Sequence, residues 1–311
     1  MRSLPLTTMH ALSQERTGEM FVLSEALLYS FFPLIINYST AFLPPLRFAA
    51  ISILLASFAL FFHLLFTHQL RSVLVPRALP FLLGVTLLVV IIPSILIYSG
   101  TAWTSGVNTA LLLEVEVIFT VILMAIFFHE PITQRKFVGT LVMCAGVFSV
   151  LYNGSFSLSL GEGMIILGTL FYPFGNFCGK KALRIIPGTA VVFFRSLFGG
   201  TVLLIISLLF ETSPLSLFSM LREYWYLFAI NGLLIMTLSK ILWYEGLLRI
   251  EISKAKTLSA IAPAMSLLLA SFLFHETVRI SQWIGCGLIL FGILILTRNT
   301  SRLSPSLPLS L

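Results

Sequence analysis

Apolar stretches of about 20 residues fill this chain, each about 30 Å long as a helix, the thickness of a bilayer core. The later stretches repeat the earlier ones. Tyr98-Ser99-Gly100 slides onto Tyr244-Glu245-Gly246 and Phe128-His129-Glu130 onto Phe274-His275-Glu276, while Gly139 meets Gly285 and Gly146 meets Gly292. One gap-free shift of 146 positions covers all of these pairings. Two homologous apolar halves are the plan of carriers that alternate access around a central site.

Composition agrees with a chain dissolved in lipid. Hydrophobic residues make up 58% and charged residues 10%, against about 25% charged in soluble domains. Long apolar runs without the alternating ten-residue pattern of a barrel predict an all-α integral membrane fold. The first eighteen residues are polar, contain Glu15 and run straight into the first span, so no cleaved leader is expected. Cys144, Cys178 and Cys286 stand singly in apolar segments and read as packing residues, without zinc or redox spacing. His129-Glu130 and His275-Glu276 fall at helix ends, where the glutamates suit Arg135, Lys136 and Arg279 as partners, and His63 has no visible ligand partner. Neither a metal site nor a cofactor is expected, and no glycine-rich phosphate loop is present.

Turn signals divide the chain into ten expected spans, near 19–37, 45–66, 78–98, 107–128 and 134–152, then 162–180, 188–210, 224–244, 254–274 and 280–297. These give a first repeat over 1–152, a second over 153–298 and a disordered tail over 299–311. With the amino terminus in the cytoplasm, the inside carries Arg2, Arg16, Arg71, Arg77, Arg135, Lys136, Lys180, Lys181, Arg184, Arg249, Lys254, Lys256, Arg298 and Arg302. Outside loops then hold only Arg222 and Arg279, which satisfies the positive-inside rule with both termini cytoplasmic. The net charge of +7 follows from that bias and from contact with anionic lipid heads, so no nucleic-acid partner is needed. Five spans per half is an odd number, which predicts an inverted repeat.

The segment from Tyr98 to Leu151 carries Asn108-Thr-Ala-Leu-Leu-Leu, Glu116, Phe119-Thr120, His129-Glu130, Gly139 and Ala145-Gly146-Val147; its second copy ends in Ala262-Pro263, His275-Glu276, Gly285 and Gly292. Arg47 and Arg195 stand early in spans two and seven. In this series the chain resembles the EamA-like branch of the drug/metabolite transporter superfamily, from about Gly18 to Arg298. Val117 stands where that family usually has a proline, Glu114 adds a carboxylate that the pattern does not require, and the first span lacks the usual tryptophan-glycine opening. What the resemblance implies is export or exchange of a small metabolite, such as an amino acid, across the bacterial cytoplasmic membrane without ATP.

Charges inside spans need a reason, since an ionised group near the bilayer centre costs about 3 kcal/mol on insertion scales. Glu25, Glu114, Glu116 and Lys240 are such charges. Either they line a polar cavity, with Glu116 or Glu25 exchanging a proton as access alternates, or they form buried ion pairs or snorkel to the interface. On a continuous helix Glu114 and Glu116 point about 200° apart, whereas Thr109, Glu116 and Thr120 share a face, which favours Glu116 as the inward carboxylate. Arg47 and Arg195 suit either the two mouths of a pathway, drawing in a carboxylate or phosphate, or interfacial anchoring. Tyr98, Tyr244 and Trp243 suit an interface belt or an aromatic wall for an organic solute. Pro33, Pro93, Pro173 and Pro263 interrupt spans one, three, six and nine, and spans one and six, which are repeat mates, also carry Asn37 and Asn176. A small-molecule solute and membrane lipid are the expected partners. The rivals are an intramembrane lipid-modifying enzyme, disfavoured because the chain has no aspartate for a metal-phosphate site, and a lipid-flipping or scaffold component.

Overall fold

The computed structural model describes residues 6–128, 132–152, 158–213, 215–250 and 252–297. The expected His129-Glu130 turn and the expected tail lie outside them. The described residues are helical and form no strand. In chain order the α-helices are α1 (Leu6–Tyr29), α2 (Phe32–Ser39), α3 (Pro45–Phe66), α4 (Leu79–Val85), α5 (Ile92–Thr101), α6 (Gly106–Leu113), α7 (Val115–Phe128) and α8 (Gln134–Leu151). The second half continues with α9 (Leu160–Thr169), α10 (Tyr172–Leu183), α11 (Gly188–Phe210), α12 (Leu217–Glu223), α13 (Trp225–Ala229), α14 (Lys240–Leu247), α15 (Ile252–Ser259), α16 (Ile261–Phe272) and α17 (Ile280–Thr297).

Among the described residues, seven stretches are long and apolar enough to cross a membrane: Gln14–Ser39, Pro45–Phe66, Pro76–Thr101, Gly106–Phe127, Gln134–Leu151, Gly188–Phe210 and Trp225–Leu247. The other three expected spans are shorter pieces: α9 with α10, α15 with α16, and α17.

Proline sets where most of these helices yield. α1 ends at Tyr29, α9 at Thr169 and α15 at Ser259, and Pro33, Pro173 and Pro263 each stand four residues beyond the end. A proline ring clashes with the carbonyl four residues earlier and offers it no N–H, so the helix breaks there. Pro93 stands four residues after Val89, where the helix widens into a π segment, Thr86–Ile91, instead of breaking. Two irregularities lack this cause. α6 ends at Leu113 although Val117 is no proline, and a second π segment runs over Ile230–Ser239. Both obey the repeat: Glu114 and Ala260, at the two breaks, are 146 positions apart, and residues 86–91 slide onto 232–237.

Equivalent helices also pair. A Cβ on Gly139 in α8 would come within 3.0 Å of the Gly292 carbonyl in α17, and one on Gly146 within 2.9 Å of the Gly285 carbonyl. The two helices therefore run antiparallel with their backbones nearly touching, a contact that only glycine permits. Gly285 is the mate of Gly139 and Gly292 of Gly146, so each glycine meets the mate of the other, as across a two-fold axis. α3 and α11 pair likewise, and the π segments wedge against them: Gly232 lies over the Ser52 carbonyl and Gly199 against Val90. Fully buried Tyr98, Phe48 and Phe228 pack ring on ring between the halves.

Candidate functional site

The helix breaks converge on one cavity of about 340 Å³, the size range of small-molecule sites. Tyr29 and Phe32 flank the first break, Glu114 stands in the second, Tyr172 and Pro173 follow the third, and Ser259 with Ala260 mark the fourth; all line the cavity, as do Val89, Val90 and Met236 from the π segments. Interrupted helices leave carbonyls without their usual donors, so polar backbone faces the same space.

Charge in the wall is mixed. Lys240 Nζ donates to Glu25 Oε1 at 3.2 Å and lies 3.8 Å from the centre of the Tyr29 ring, and Ser239 Oγ donates to the same carboxylate oxygen at 3.2 Å. This pair is 20% and 6% exposed at its two side chains, so each ion is held by its partner rather than by water. Asn176 Nδ2 donates to Glu116 Oε1 at 2.9 Å, joining α10 to α7. Tyr98 accepts at its hydroxyl from Asn231 Nδ2 at 3.1 Å. Lys180 and Arg195 supply further positive charge, and Trp243, Tyr244 and Phe177 add rings.

Away from the cavity, the turn between α5 and α6 is sealed by a buried polar network. Asn37 Nδ2 donates to the carbonyls of Thr101 and Thr104 at 3.1 and 2.8 Å. Asn108 Nδ2 donates to Glu162 Oε1 at 2.6 Å, and Gln282 Nε2 donates to Asn108 Oδ1 at 2.7 Å. Glu162 itself closes a capping box with Ser159 at the start of α9. Glu276 Oε1 accepts from the backbone N–H of Val107 at 3.3 Å. Lys254 of α15 pairs across the halves with both Glu15 and Glu19 of α1.

Of the residues singled out from sequence, Glu25, Tyr98, Glu116, Thr120, Asn176, Arg195, Lys240, Trp243 and Tyr244 line the cavity. Asn37, Arg47 and Thr109 do not. Asn37 belongs to the seal. Arg47 is locked on α11: its Nε donates to Ser207 Oγ at 3.1 Å and a terminal nitrogen to the Glu211 carbonyl at 2.9 Å, while Glu211 caps the α3 amino terminus through the N–H groups of Leu46 and Arg47. Thr109 is fully buried and donates to the Ser105 carbonyl at 2.9 Å. The shared face expected for Thr109, Glu116 and Thr120 assumed one continuous helix, and the break at Glu114 resets the register between them. The same break brings both Glu114 and Glu116 to the cavity wall, which a continuous helix forbids. Sequence reasoning passed over Tyr29, Tyr172 and Lys180 as cavity residues; the proline four positions after Tyr29 was the available signal.

Comparison with known proteins agrees with this architecture. The EamA-like transporter family model matches residues 16–152 and again 159–298. The chain is similar to an uncharacterized transporter, YoaV, of Bacillus subtilis (strain 168), 24% identical over 267 residues, covering 84% of this chain and 89% of that one. It is similar to an uncharacterized transporter of Archaeoglobus fulgidus, 26% identical, covering 85% and 92% of the two chains. It also matches YyaM, an uncharacterized transporter of Bacillus subtilis (strain 168), 24% identical over 64% of this chain and 67% of that one. A solved crystal structure, 18% identical, shares the fold with a TM-score of 0.68 over 93% of this chain and 99% of the other. With both halves matched and multiple apolar helices around a central cavity, the chain is a multi-pass membrane protein that belongs to the EamA-like transporter family.

Proposed function

We propose that the protein is a secondary transporter of the bacterial cytoplasmic membrane that exports or exchanges a small organic metabolite, such as an amino acid, by alternating access. The observation that carries this reading is the cavity built where the interrupted helices of both halves meet, with ions and aromatic rings set among its aliphatic lining. Ten spans in two inverted five-helix repeats, 1–152 and 153–298, with both termini cytoplasmic, fit the positive-inside pattern and the antiparallel contact of α8 with α17. In that orientation the seal around Asn108 closes the outer side, and Lys180, Leu183 and Leu247 lie toward the cytoplasmic mouth. Glu116, accepting from Asn176 at the wall, is the group that couples solute to protons; Glu25, held by Lys240, is the second carboxylate available for it. Solute contacts fall to Tyr98, Thr120, Asn176, Arg195, Trp243 and Tyr244, while Asn37, Arg47 and Thr109 hold the walls.

Counterflow of labelled amino acids into proteoliposomes holding the purified protein alone tests the reading. Accumulation against excess internal unlabelled solute is expected. Modification of a lipid substrate without solute exchange would replace the transporter with an intramembrane enzyme.

A further inference from the structure

Arg47 and Arg195 both stand in the first half of their helices, α3 and α11, two positions out of the 146-position register, and their surroundings differ. The Arg47 guanidinium is satisfied by the Ser207 hydroxyl and by the backbone carbonyls of Ser207 and Glu211, at the end of α11. The repeat shift of 146 positions maps Ser207 back to Phe61 and Glu211 back to Leu65. The hydroxyl that holds the Arg47 guanidinium therefore has no counterpart for Arg195. Among the described residues no carboxylate pairs with Arg195, and its Nε is buried without a hydrogen-bond partner. The side chain is 8% exposed and lines the cavity beside Ser196.

A buried guanidinium without a paired carboxylate is costly, and the fold retains it facing a space large enough for a solute. Of the other charges in the wall, Lys240 is held by Glu25 and Glu116 accepts from Asn176, while Glu114 and Lys180 line the same space. We infer that Arg195 is the anchor for a single carboxylate on the transported solute, bound through the two-pronged geometry that guanidinium offers such a group. The rest of the solute then meets Tyr29, Tyr172 and Trp243. A carboxylate fits better than a phosphate, because Glu114 and Glu116 in the same wall repel a second negative charge. This deepens the transport reading by naming the chemistry of the solute.

The test is calorimetric titration of the purified protein in lipid nanodiscs with acetate, hexanoate and hydrocinnamate, alongside phenethylamine and inorganic phosphate. At least one monocarboxylate should bind the wild type, with an affinity at least tenfold lower in Arg195→Gln and partly restored in Arg195→Lys. Phenethylamine should show no dependence on position 195. Thermal unfolding controls for folding: without ligand, Arg195→Gln should melt no lower than wild type, because it removes an uncompensated buried charge. A lower midpoint in the ligand-free variant, no monocarboxylate binding to wild type, equal affinity in Arg195→Gln, or tighter binding of phosphate than of every carboxylate would each overturn the assignment. Because these measurements need no transport, counterflow can succeed while this assignment fails, and the reverse.

Discussion

Asn108 and Lys254 stand 146 positions apart and each grips a carboxylate on a broken helix of the opposite half. Asn108 donates to Glu162 in the first turn of α9 at 2.6 Å, and Lys254 donates to Glu15 in the first part of α1 at 2.5 Å. One half uses an amide and the other an ammonium, so the two grips differ in strength and in sensitivity to salt. In an alternating carrier this difference biases which side rests closed.

The amide grip is the easier one to test. Asn108→Leu removes the donor to Glu162 and the acceptor for Gln282, and loss of a hydrogen bond to a charged group costs about 2 kcal/mol. The seal should then open more often. With the native cysteines removed, a cysteine in place of Tyr98 should react with a membrane-impermeant thiol reagent from outside at least tenfold faster in the Asn108→Leu background. Unchanged reactivity would mean that this network is not a gate.

The Glu25–Lys240 pair should behave as a unit. Lys240→Met leaves Glu25 buried and unpaired, and breaking such a pair costs about 3 kcal/mol; thermal midpoints in detergent should fall accordingly. Adding Glu25→Gln should restore most of the loss, because the second change removes the stranded charge. A double variant as unstable as the sum of the single ones would show that the two residues are not coupled.

Coupling is tested at Glu116. Glu116→Gln keeps the oxygen that accepts from Asn176 while mimicking the protonated carboxyl. Solute exchange should persist, and accumulation driven by an imposed pH gradient should disappear. Wild-type accumulation in this variant would move the coupling role to Glu25 or end the proton hypothesis.

Topology has its own measurement. Reporters fused at Ser157 and Ser301 should report opposite sides, Ser157 outside and Ser301 inside. Both on one side would dismiss the inverted five-plus-five arrangement.

Much of this architecture was legible because proline acts at a fixed distance. Pro33, Pro173 and Pro263 mark three helix ends four residues upstream, and the shift of 146 positions aligns Glu114 with the break at Ala260. The break at Glu114 stayed hidden for want of a proline: Val117 permits a continuous helix, and the tertiary environment imposes the interruption. That omission misplaced Thr109 and wrongly set Glu114 aside. The place of Arg47 is hidden from the sequence for a different reason. Its partner Glu211 lies just past the end of α11, 164 residues away in sequence, and no local pattern connects the two. Periodicity informs about one helix at a time, whereas the cavity depends on how breaks in several helices come together.

The glycine seam between α8 and α17 is a surface that fits an upside-down copy of itself. A chain severed between residues 152 and 159 should therefore reassemble from its two fragments through this seam. Self-fit also has a hazard. Either fragment in excess carries the same seam and competes for its partner, so co-expression should yield the most intact protein near equal dosage and decline on both sides of it.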